Sequence, residues 1–178
     1  MYKMYKNKSY FLFIILTFST LLISACGFHL RGHGENINLN IKYWHLSSTI
    51  SKNLQKNLVE NFKLYKAELE TPTNKISSAA QANLEIEEKY QETINTLNSQ
   101  GQVSEVRLKY TVVFLVRKAN EDKVLLVPTT IEQYRDIAMN ESAALAKEQE
   151  KKKLLKDMEY TAASRILEYI QKIPNDGL

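Results

Sequence analysis

Between Glu105 and Arg117 every second residue is apolar, and this pattern limits the fold more than any other feature of the chain. The apolar set is Val106, Leu108, Tyr110, Val112, Phe114 and Val116, and the alternate positions include Glu105, Arg107, Lys109, Thr111 and Arg117. Successive side chains of a β-strand point to opposite faces. The segment therefore predicts a strand in a sheet that is packed on one face and exposed to water on the other.

Two further segments have helical periodicity. Ile50, Leu54, Leu58 and Phe62 recur every four residues and predict an amphipathic helix over about 49–64, with N-cap hydroxyls available in Ser47-Ser48-Thr49. The segment from about 142 to 172 lacks Gly and Pro, and its later apolar residues step by three or four: Leu155, Met158, Ala162, Ile166, Tyr169 and Ile173. Its C-terminal half is predicted to pack on the sheet, and its charged N-terminal half to face solvent or a partner.

The remaining strands are predicted from shorter signals. They cover 41–46, 82–87 and about 123–134, and a short strand at 64–70 is left open. This order of elements predicts an α+β fold, with two helices packed on one face of a mostly antiparallel four-stranded sheet. We assign this domain to residues 41–178, and no internal repeat or second domain is visible.

Residues 1–25 have the form of an export signal. Three lysines and no acidic residue precede an apolar run of 13 residues, Phe11 to Ile23, which is interrupted only by Thr17, Ser19 and Thr20. As a helix this run spans about 20 Å, short of the roughly 30 Å hydrocarbon thickness of a bilayer. A positive start, a short apolar segment and small residues are typical of a cleaved secretory signal peptide. A buried N-terminal hairpin or a short anchor is the alternative.

The single cysteine of the chain follows this signal directly. Ile23-Ser24-Ala25-Cys26 resembles a bacterial lipobox, so Cys26 is predicted to become the acylated N-terminus of the mature protein. Two or more acyl chains hold a protein firmly on a membrane. The alternative is an unmodified cysteine after an ordinary signal. Gly27, in place of Asp, favours sorting to the outer membrane by analogy with bacterial lipoproteins, and residues 26–40 are predicted to be a lipidated tether.

The positive charge of the chain belongs largely to the signal. The 178 residues include 24 Lys and Arg against 20 Asp and Glu, a net charge of +4. Cleavage after Ala25 removes three lysines and no acid, which leaves 153 residues with 21 basic and 20 acidic side chains. A nearly neutral, exported domain is not expected to have a nucleic-acid partner.

Three segments resemble the LptE family of lipopolysaccharide-assembly lipoproteins of the Gram-negative outer membrane. They are Cys26-Gly27-Phe28-His29-Leu30-Arg31 after the lipobox, Gly101-Gln102-Val103-Ser104-Glu105 before the long strand, and Ala143-Ala144-Leu145-Ala146-Lys147 opening the last helix, which is similar to the M-A-L-A-K stretch of that family. With Met158 to Ala163 and Ile170 to Pro174, the resemblance covers essentially the whole mature chain.

The resemblance implies a non-catalytic protein that plugs the LptD β-barrel, assists assembly of that barrel and binds lipopolysaccharide on its way to the outer leaflet. It also implies a location at the outer membrane, lipid-anchored on the periplasmic and barrel-lumen side. In that family, lipopolysaccharide binding is associated with basic residues near the hairpin and at the lysine of M-A-L-A-K. Lys147 matches the second position. At the hairpin, where some relatives carry Arg, this chain has Asn98-Ser99-Gln100.

Basic residues near apolar surface are what a phosphate-rich amphiphile such as lipopolysaccharide requires. Besides Lys147, the polar face of the long strand offers Arg107 and Lys109, and these three are the candidate ligand-binding residues. Two alternatives stand beside this hypothesis. In the first alternative the cations are ordinary solvated side chains, and in the second Arg107 and Lys109 face the barrel wall. A generic envelope lipoprotein without lipopolysaccharide contact is the second candidate function.

No motif indicates catalysis or a resident cofactor. His29, His33 and His45 are irregularly spaced and have no second cysteine or carboxylate cluster beside them, so no metal site is expected. Glu87 and Glu88 are adjacent in a predicted strand and point to opposite faces, which excludes them as a catalytic pair. No cofactor is predicted beyond the covalent lipid on Cys26.

Overall fold

The long alternating segment forms one strand of a five-stranded sheet covered by two helices. The computed structural model describes residues 39–76, 78–140 and 143–174. Its elements are β1 (Tyr43–Leu46), α1 (Lys52–Leu64), β2 (Glu68–Glu70), β3 (Ala82–Leu97), β4 (Val103–Lys118), β5 (Val124–Ala138) and α2 (Ala144–Ile170). The predicted signal peptide, Cys26 and most of the predicted tether lie outside these residues. Within them, no helix is both long and apolar enough to cross a bilayer.

The α+β class is confirmed, but two details of the predicted sheet are wrong. The strand order is β2-β1-β3-β4-β5, so the sheet has five strands and not four. It is also mixed: β1 pairs in parallel with both β2 and β3, and only β3, β4 and β5 form an antiparallel ribbon. The cause is α1, which joins β1 to β2 and returns the chain so that the second strand runs in the same direction as the first.

The antiparallel ribbon is longer than the sequence pattern indicates. β3 and β4 have 16 residues each and pair from Ala82↔Lys118 to Leu97↔Val103. At about 3.3 Å per residue, β4 is therefore about 50 Å long. We call the end formed by β1, β2 and the C-terminus of α2 the proximal end. The distal end is formed by the β3–β4 turn and the N-terminus of α2.

One face of the sheet carries the hydrophobic core. All six apolar residues predicted for β4, from Val106 to Val116, are buried. Against them lie Leu54, Leu58 and Phe62 of α1 and Met158, Ala162 and Ile166 of α2, all of which are buried. The predicted packing of the C-terminal half of the last helix is thus confirmed. Neither of the two described helices packs on the opposite face of the sheet, which we call the open face.

The start of α1 differs from the predicted one. Ser51 is the N-cap, and its hydroxyl accepts a hydrogen bond from the backbone N–H of Leu54 at 3.2 Å. Ser48, one of the predicted capping residues, instead accepts a hydrogen bond from the backbone N–H of Ile86 on β3 at 2.8 Å. Because the Ser48 hydroxyl accepts from β3, it does not cap the helix, and α1 begins at Lys52 after the N-cap Ser51.

Candidate functional site

Lys147 lies in the first turns of α2, at the distal end of the molecule. Its ammonium group is 2.8 Å from Oε2 of Glu150, one turn further along the helix. The side chain is only 23% exposed. The predicted ligand-binding lysine is therefore presented on the helix-covered side of the sheet, with a carboxylate partner already in place.

Arg107 and Lys109 lie on the open face of the sheet, because they alternate along β4 with the buried Val106, Leu108 and Tyr110. Each is paired with β5. Arg107 donates from Nε and Nη2 to the two carboxylate oxygens of Asp136, at 2.7 and 2.8 Å. Lys109 lies 2.7 Å from Glu132 and 5.4 Å from the ring centre of Tyr134.

These ion pairs shift the titration of both partners. Hydrogen bonding to Asp136 raises the pKa of Arg107, and the same contact holds the pKa of the aspartate below its usual value. The hydrogen bond to Glu132 raises the pKa of Lys109, and the pKa of Glu132 is lowered in turn. On this face, Arg107 and Lys109 of β4 are therefore each neutralised by a carboxylate of β5.

The structure does not bring the three predicted cations together. Lys147 belongs to the helical side, whereas Arg107 and Lys109 point from the opposite face of the sheet. A ligand lying flat on one face would meet either Lys147 or the β4 pair. The assignment of these residues to lipopolysaccharide binding stays a prediction. It now concerns two separate surfaces, one with Lys147 and one with Arg107 and Lys109.

Lys151 is a cation whose placement sequence reasoning missed. Its side chain is only 11% exposed, and its ammonium group reaches Glu92 on β3 at 2.9 Å and Glu148 on α2 at 2.8 Å. Glu92 also accepts a hydrogen bond from the Tyr90 hydroxyl at 2.8 Å. The charged N-terminal half of α2, expected to face solvent or a partner, is thus tied to the sheet. The Lys151-Lys152-Lys153 run gave no signal as to which lysine makes this contact.

Burial disfavours the ionised form of Glu92, but the hydrogen bonds to its carboxylate outweigh this effect. Desolvation acts to raise the pKa of the carboxyl, whereas hydrogen bonds from Lys151 and Tyr90 lower it, and the net shift is downward. Hydrogen bonds to Glu148 and Glu92 raise the pKa of Lys151. Burial, followed by the bond to Glu92, raises the pKa of Tyr90, so its phenol stays a donor.

Replacing Glu92 by Gln is expected to remove this attachment in a pH-dependent manner. At neutral pH we expect a loss of about 0.5–1 kcal/mol in unfolding free energy, the scale of a partly screened ion pair. Because the folded-state pKa is lowered, the stabilisation is complete above the ordinary glutamate value of about 4.3 and is lost as the pH falls through the folded-state pKa. Urea titrations from neutral pH to about pH 3 measure the convergence of variant and wild type.

Glu168→Gln is the matched control, since Glu168 is an exposed residue of the same helix. We expect its unfolding free energy to follow that of the wild type at every pH. If the difference in unfolding free energy between Glu92→Gln and wild type stays the same in acid, the ionic role assigned to Glu92 is contradicted.

The β3–β4 turn contains no basic side chain. Asn98 holds it together, because its Oδ1 accepts hydrogen bonds from the backbone N–H groups of Gln100 and Gln102, at 3.0 and 2.9 Å. Gly101 has φ = +79°, a left-handed conformation that suits glycine. Ser99 therefore sits at the tip of a turn that presents amides and hydroxyls, not a guanidinium.

Apolar side chains are exposed near both distal elements. Ile94 and Leu97 of β3 and Leu145 of α2 are exposed large hydrophobic residues. They continue towards the tip from the level at which Lys151 contacts Glu92. The distal end thus combines exposed aliphatic groups with two lysines, Lys147 and Lys151, whose carboxylate partners could be exchanged for phosphate. This arrangement suits an amphiphilic anion or an amphiphilic protein surface.

A polar network lies between α1, α2 and the sheet. Glu88 faces the core and accepts hydrogen bonds from the Tyr110 hydroxyl at 2.5 Å and from the backbone N–H of Ser51. The buried Glu159 accepts from the Ser51 hydroxyl and the Asn53 amide, both at 2.6 Å. Burial and Glu88 together raise the pKa of Tyr110. These carboxylates fix the N-terminus of α1 within the core, and Glu87 on the other face is exposed.

Nothing in the described part of the chain gathers metal ligands. Groups of three or more His, Cys, Asp or Glu side chains suitable for a metal are not found there. His45 lies 3.4 Å from Glu70 as a single pair, and His29 and His33 are outside the described residues. Trp44 is buried and donates from Nε1 to the carbonyl of Ile41 at 2.9 Å, which assigns it to the core.

Solved structures of bacterial lipoproteins have the same fold. Rare lipoprotein B from Shewanella oneidensis is similar with a TM-score of 0.58 and 26% identity, over 72% of this chain and 91% of that one. Lipoprotein B from Nitrosomonas europaea has a TM-score of 0.61 and 24% identity, over 79% of this chain and 88% of that one. A minor lipoprotein from Acinetobacter baumannii has a TM-score of 0.58 at 18% identity, over 75% and 92% of the two chains.

The family comparison covers nearly all of the described fold. A search of curated protein sequences finds no significant match. The family model for LptE, described as lipopolysaccharide-assembly, matches residues 41–170. That range runs from just before β1 to the last residue of α2, so it includes every strand, both helices and the distal end. The chain therefore belongs to the LptE family of lipopolysaccharide-assembly lipoproteins.

Proposed function

We propose that this protein is a non-catalytic lipoprotein of the outer membrane that plugs the LptD β-barrel, assists assembly of that barrel and contacts lipopolysaccharide during insertion into the outer leaflet. The observation that carries the proposal is the LptE family match over residues 41–170. Acyl chains on Cys26 would hold the protein at the periplasmic side of the membrane, and the folded domain would enter the barrel lumen with its distal end.

The open face of the sheet supports the plug role. Arg107 and Lys109 are paired with Asp136 and Glu132, and Arg117 is paired with Glu85 at 3.0 Å. These three cations of β4 therefore already have carboxylate partners, which lowers the cost of desolvating them against another polar surface. The lumen of a large outer-membrane barrel is itself polar, and in some barrels it is plugged by protein. A neutralised polar face is suited to such a wall.

The distal end supports the lipopolysaccharide contact. Lys147 and the exposed Leu145 both belong to the first two turns of α2, although two residues apart they point to different sides of the helix, and the exposed Ile94 and Leu97 add apolar surface near the β3–β4 turn. Phosphates of the ligand would replace Glu150 as the partner of Lys147, and acyl chains would cover the aliphatic groups. The alternative, a structural or barrel-assembly lipoprotein without this contact, is favoured by Asn98-Ser99-Gln100, which places no cation at the tip.

Affinity purification tests the plug role directly. A tagged protein extracted from outer membranes is expected to recover a β-barrel protein of far larger mass, in a fixed ratio to the bait. An unrelated outer-membrane lipoprotein with the same tag is the control and should not recover it. Recovery of the bait alone would overturn the plug proposal.

Lys147→Glu tests the ligand contact. We expect the mature domain to lose about 10- to 100-fold in affinity for purified lipopolysaccharide, the scale of a lost charge-assisted hydrogen bond. Lys153→Glu is the matched control, because Lys153 is an exposed lysine of the same helix, and its affinity should stay close to that of the wild type. Equal affinities of all three proteins, or no binding by any, would favour the function without lipopolysaccharide contact.

A further inference from the structure

The net positive charge of the described chain is concentrated in the β1–α1–β2 part. Residues 39–76 contain six lysines and three glutamates, a surplus of three positive charges. Residues 78–140 and 143–174 contain fourteen basic and fourteen acidic side chains and are neutral in sum. The net positive charge of the described residues therefore lies in the part of the chain around α1, away from the distal end.

Three of these lysines form a stripe on the exposed side of α1. Lys52, Lys56 and Lys63 are exposed, and with Val59 between them they recur every three or four residues, so they lie above one another on the helix. The buried residues of α1 are on the other side. Glu60 lies 3.8 Å from Lys56, and both of these side chains are largely exposed. We call Lys52, Lys56 and Lys63 the lysine face.

A groove of about 370 Å³ runs along the lysine face. Its second wall is the turn after β2, with Thr73 and Asn74. Gln55 fixes this wall, because its amide donates to the hydroxyl oxygens of Thr71 and Thr73 at 2.9 and 2.5 Å. The lysine stems and Val59 give the groove an apolar floor, and its rim has three lysines and one carboxylate, that of Glu60. An apolar floor under a net positive rim is the arrangement expected of a surface that meets lipid headgroups.

The chain enters the fold beside this face. The backbone N–H of Leu39 donates to the carbonyl of Tyr65, directly after α1, at 3.3 Å. Leu39 lies thirteen positions after Cys26, and thirteen Cα–Cα steps span at most about 45 Å. Leu64, at the same end of α1, is 77% exposed. If Cys26 is acylated as proposed, the tether allows the C-terminal end of α1 to reach the bilayer and keeps it within about 45 Å of the anchored residue.

We propose that the lysine face docks on the anionic headgroups of the bilayer in which the protein is anchored. A lysine close to an anionic membrane surface contributes about 1 kcal/mol, or about fivefold in partitioning. Three lysines give about a hundredfold, which is weak alone but effective for a protein that a tether already holds at the surface. This contact orients the domain on the membrane and leaves the distal end for its ligand.

Vesicle sedimentation of the unlipidated mature chain, residues 27–178, tests the proposal. This chain keeps every buried residue of the core. We expect it to bind vesicles of phosphatidylglycerol and phosphatidylcholine at low salt, and not vesicles of phosphatidylcholine alone. The triple variant Lys52→Gln, Lys56→Gln, Lys63→Gln should bind about a hundredfold more weakly. High salt should release the wild type.

The control triple is Lys152→Gln, Lys153→Gln, Lys156→Gln. It removes the same charge from exposed positions of α2 and should bind the anionic vesicles as the wild type does. Equal weakening of both triples, or no preference of the wild type for anionic vesicles, would overturn the proposal. Binding of inorganic phosphate at the groove with no vesicle binding would also overturn it. The vesicles contain neither lipopolysaccharide nor a barrel, so the outcome is independent of the plug and ligand tests.

Discussion

Replacing Trp44 by alanine is expected to remove a large part of the stability of the domain. Trp44 is 1% exposed and lies on β1, between β2 and β3. Its ring meets that of Phe62 edge-on at 5.3 Å, which joins the sheet to α1. Truncating a buried Trp to Ala costs about 3–5 kcal/mol, and loss of the indole donor leaves the carbonyl of Ile41 without that partner. A domain holds only about 5–15 kcal/mol in total.

Urea titration followed by far-UV circular dichroism measures this loss. Trp44→Phe separates ring packing from the indole hydrogen bond and is expected to cost roughly 1–2 kcal/mol, the scale of one buried unsatisfied group. Leu64→Ala is the exposed control, at the end of α1, and should shift the free energy by no more than about 0.5 kcal/mol. An unchanged urea midpoint for Trp44→Ala would show that β1 does not hold the sheet to α1 as the structure indicates.

The elements predicted best are those whose burial follows a local period. Every apolar position from Val106 to Val116 is buried, and so are Leu54, Leu58 and Phe62. In these segments one face of a single strand or helix decides the structure, so spacing along the chain contains the necessary information. The family resemblance, given by short segments in a fixed order, is confirmed by the match over residues 41–170.

The errors lie where distant segments decide the structure. The second half of β3, from Glu87 to Leu97, has no apolar alternation and is a strand because β4 provides hydrogen-bonding partners along its whole length. The parallel pairing of β1 likewise depends on the path of α1 and not on the composition of β1. Strand pairing and direction are tertiary properties, and the period of one segment does not contain them.

The candidate site residues show the same difference between what local spacing predicts and what distant segments decide. The alternation predicted correctly that Arg107 and Lys109 share a face, but their partners Asp136 and Glu132 belong to β5, 29 and 23 residues further along the chain. Lys151, Lys152 and Lys153 are equivalent by composition, and only the structure selects Lys151 as the link to Glu92. Charge runs therefore identify where cations are, while the fold decides which of them are already satisfied.

Converting Cys26 to alanine is expected to move the protein from the membrane to the soluble fraction almost completely. In this variant, residues 1–25 are replaced by an ordinary cleavable secretory signal, so that export and processing no longer depend on the lipobox. One acyl chain binds a membrane only marginally and two or more hold it firmly, so loss of all of them removes the anchor. Fractionation followed by mass measurement of the mature protein reads out both location and acylation.

The result is clearest in a host that lacks the matching barrel, because a plug retained in its barrel would sediment without any lipid. A high-salt wash is also needed, since the lysine face of α1 would otherwise hold a fraction of the unlipidated protein on anionic headgroups, and salt screens that attraction. Gly27→Ala with the native leader is the control: it keeps Cys26 and should sediment with membranes through the wash. If the Cys26→Ala protein sediments equally well under these conditions, the anchor is not the lipid on Cys26, and the proposed position of α1 at the bilayer loses its basis as well.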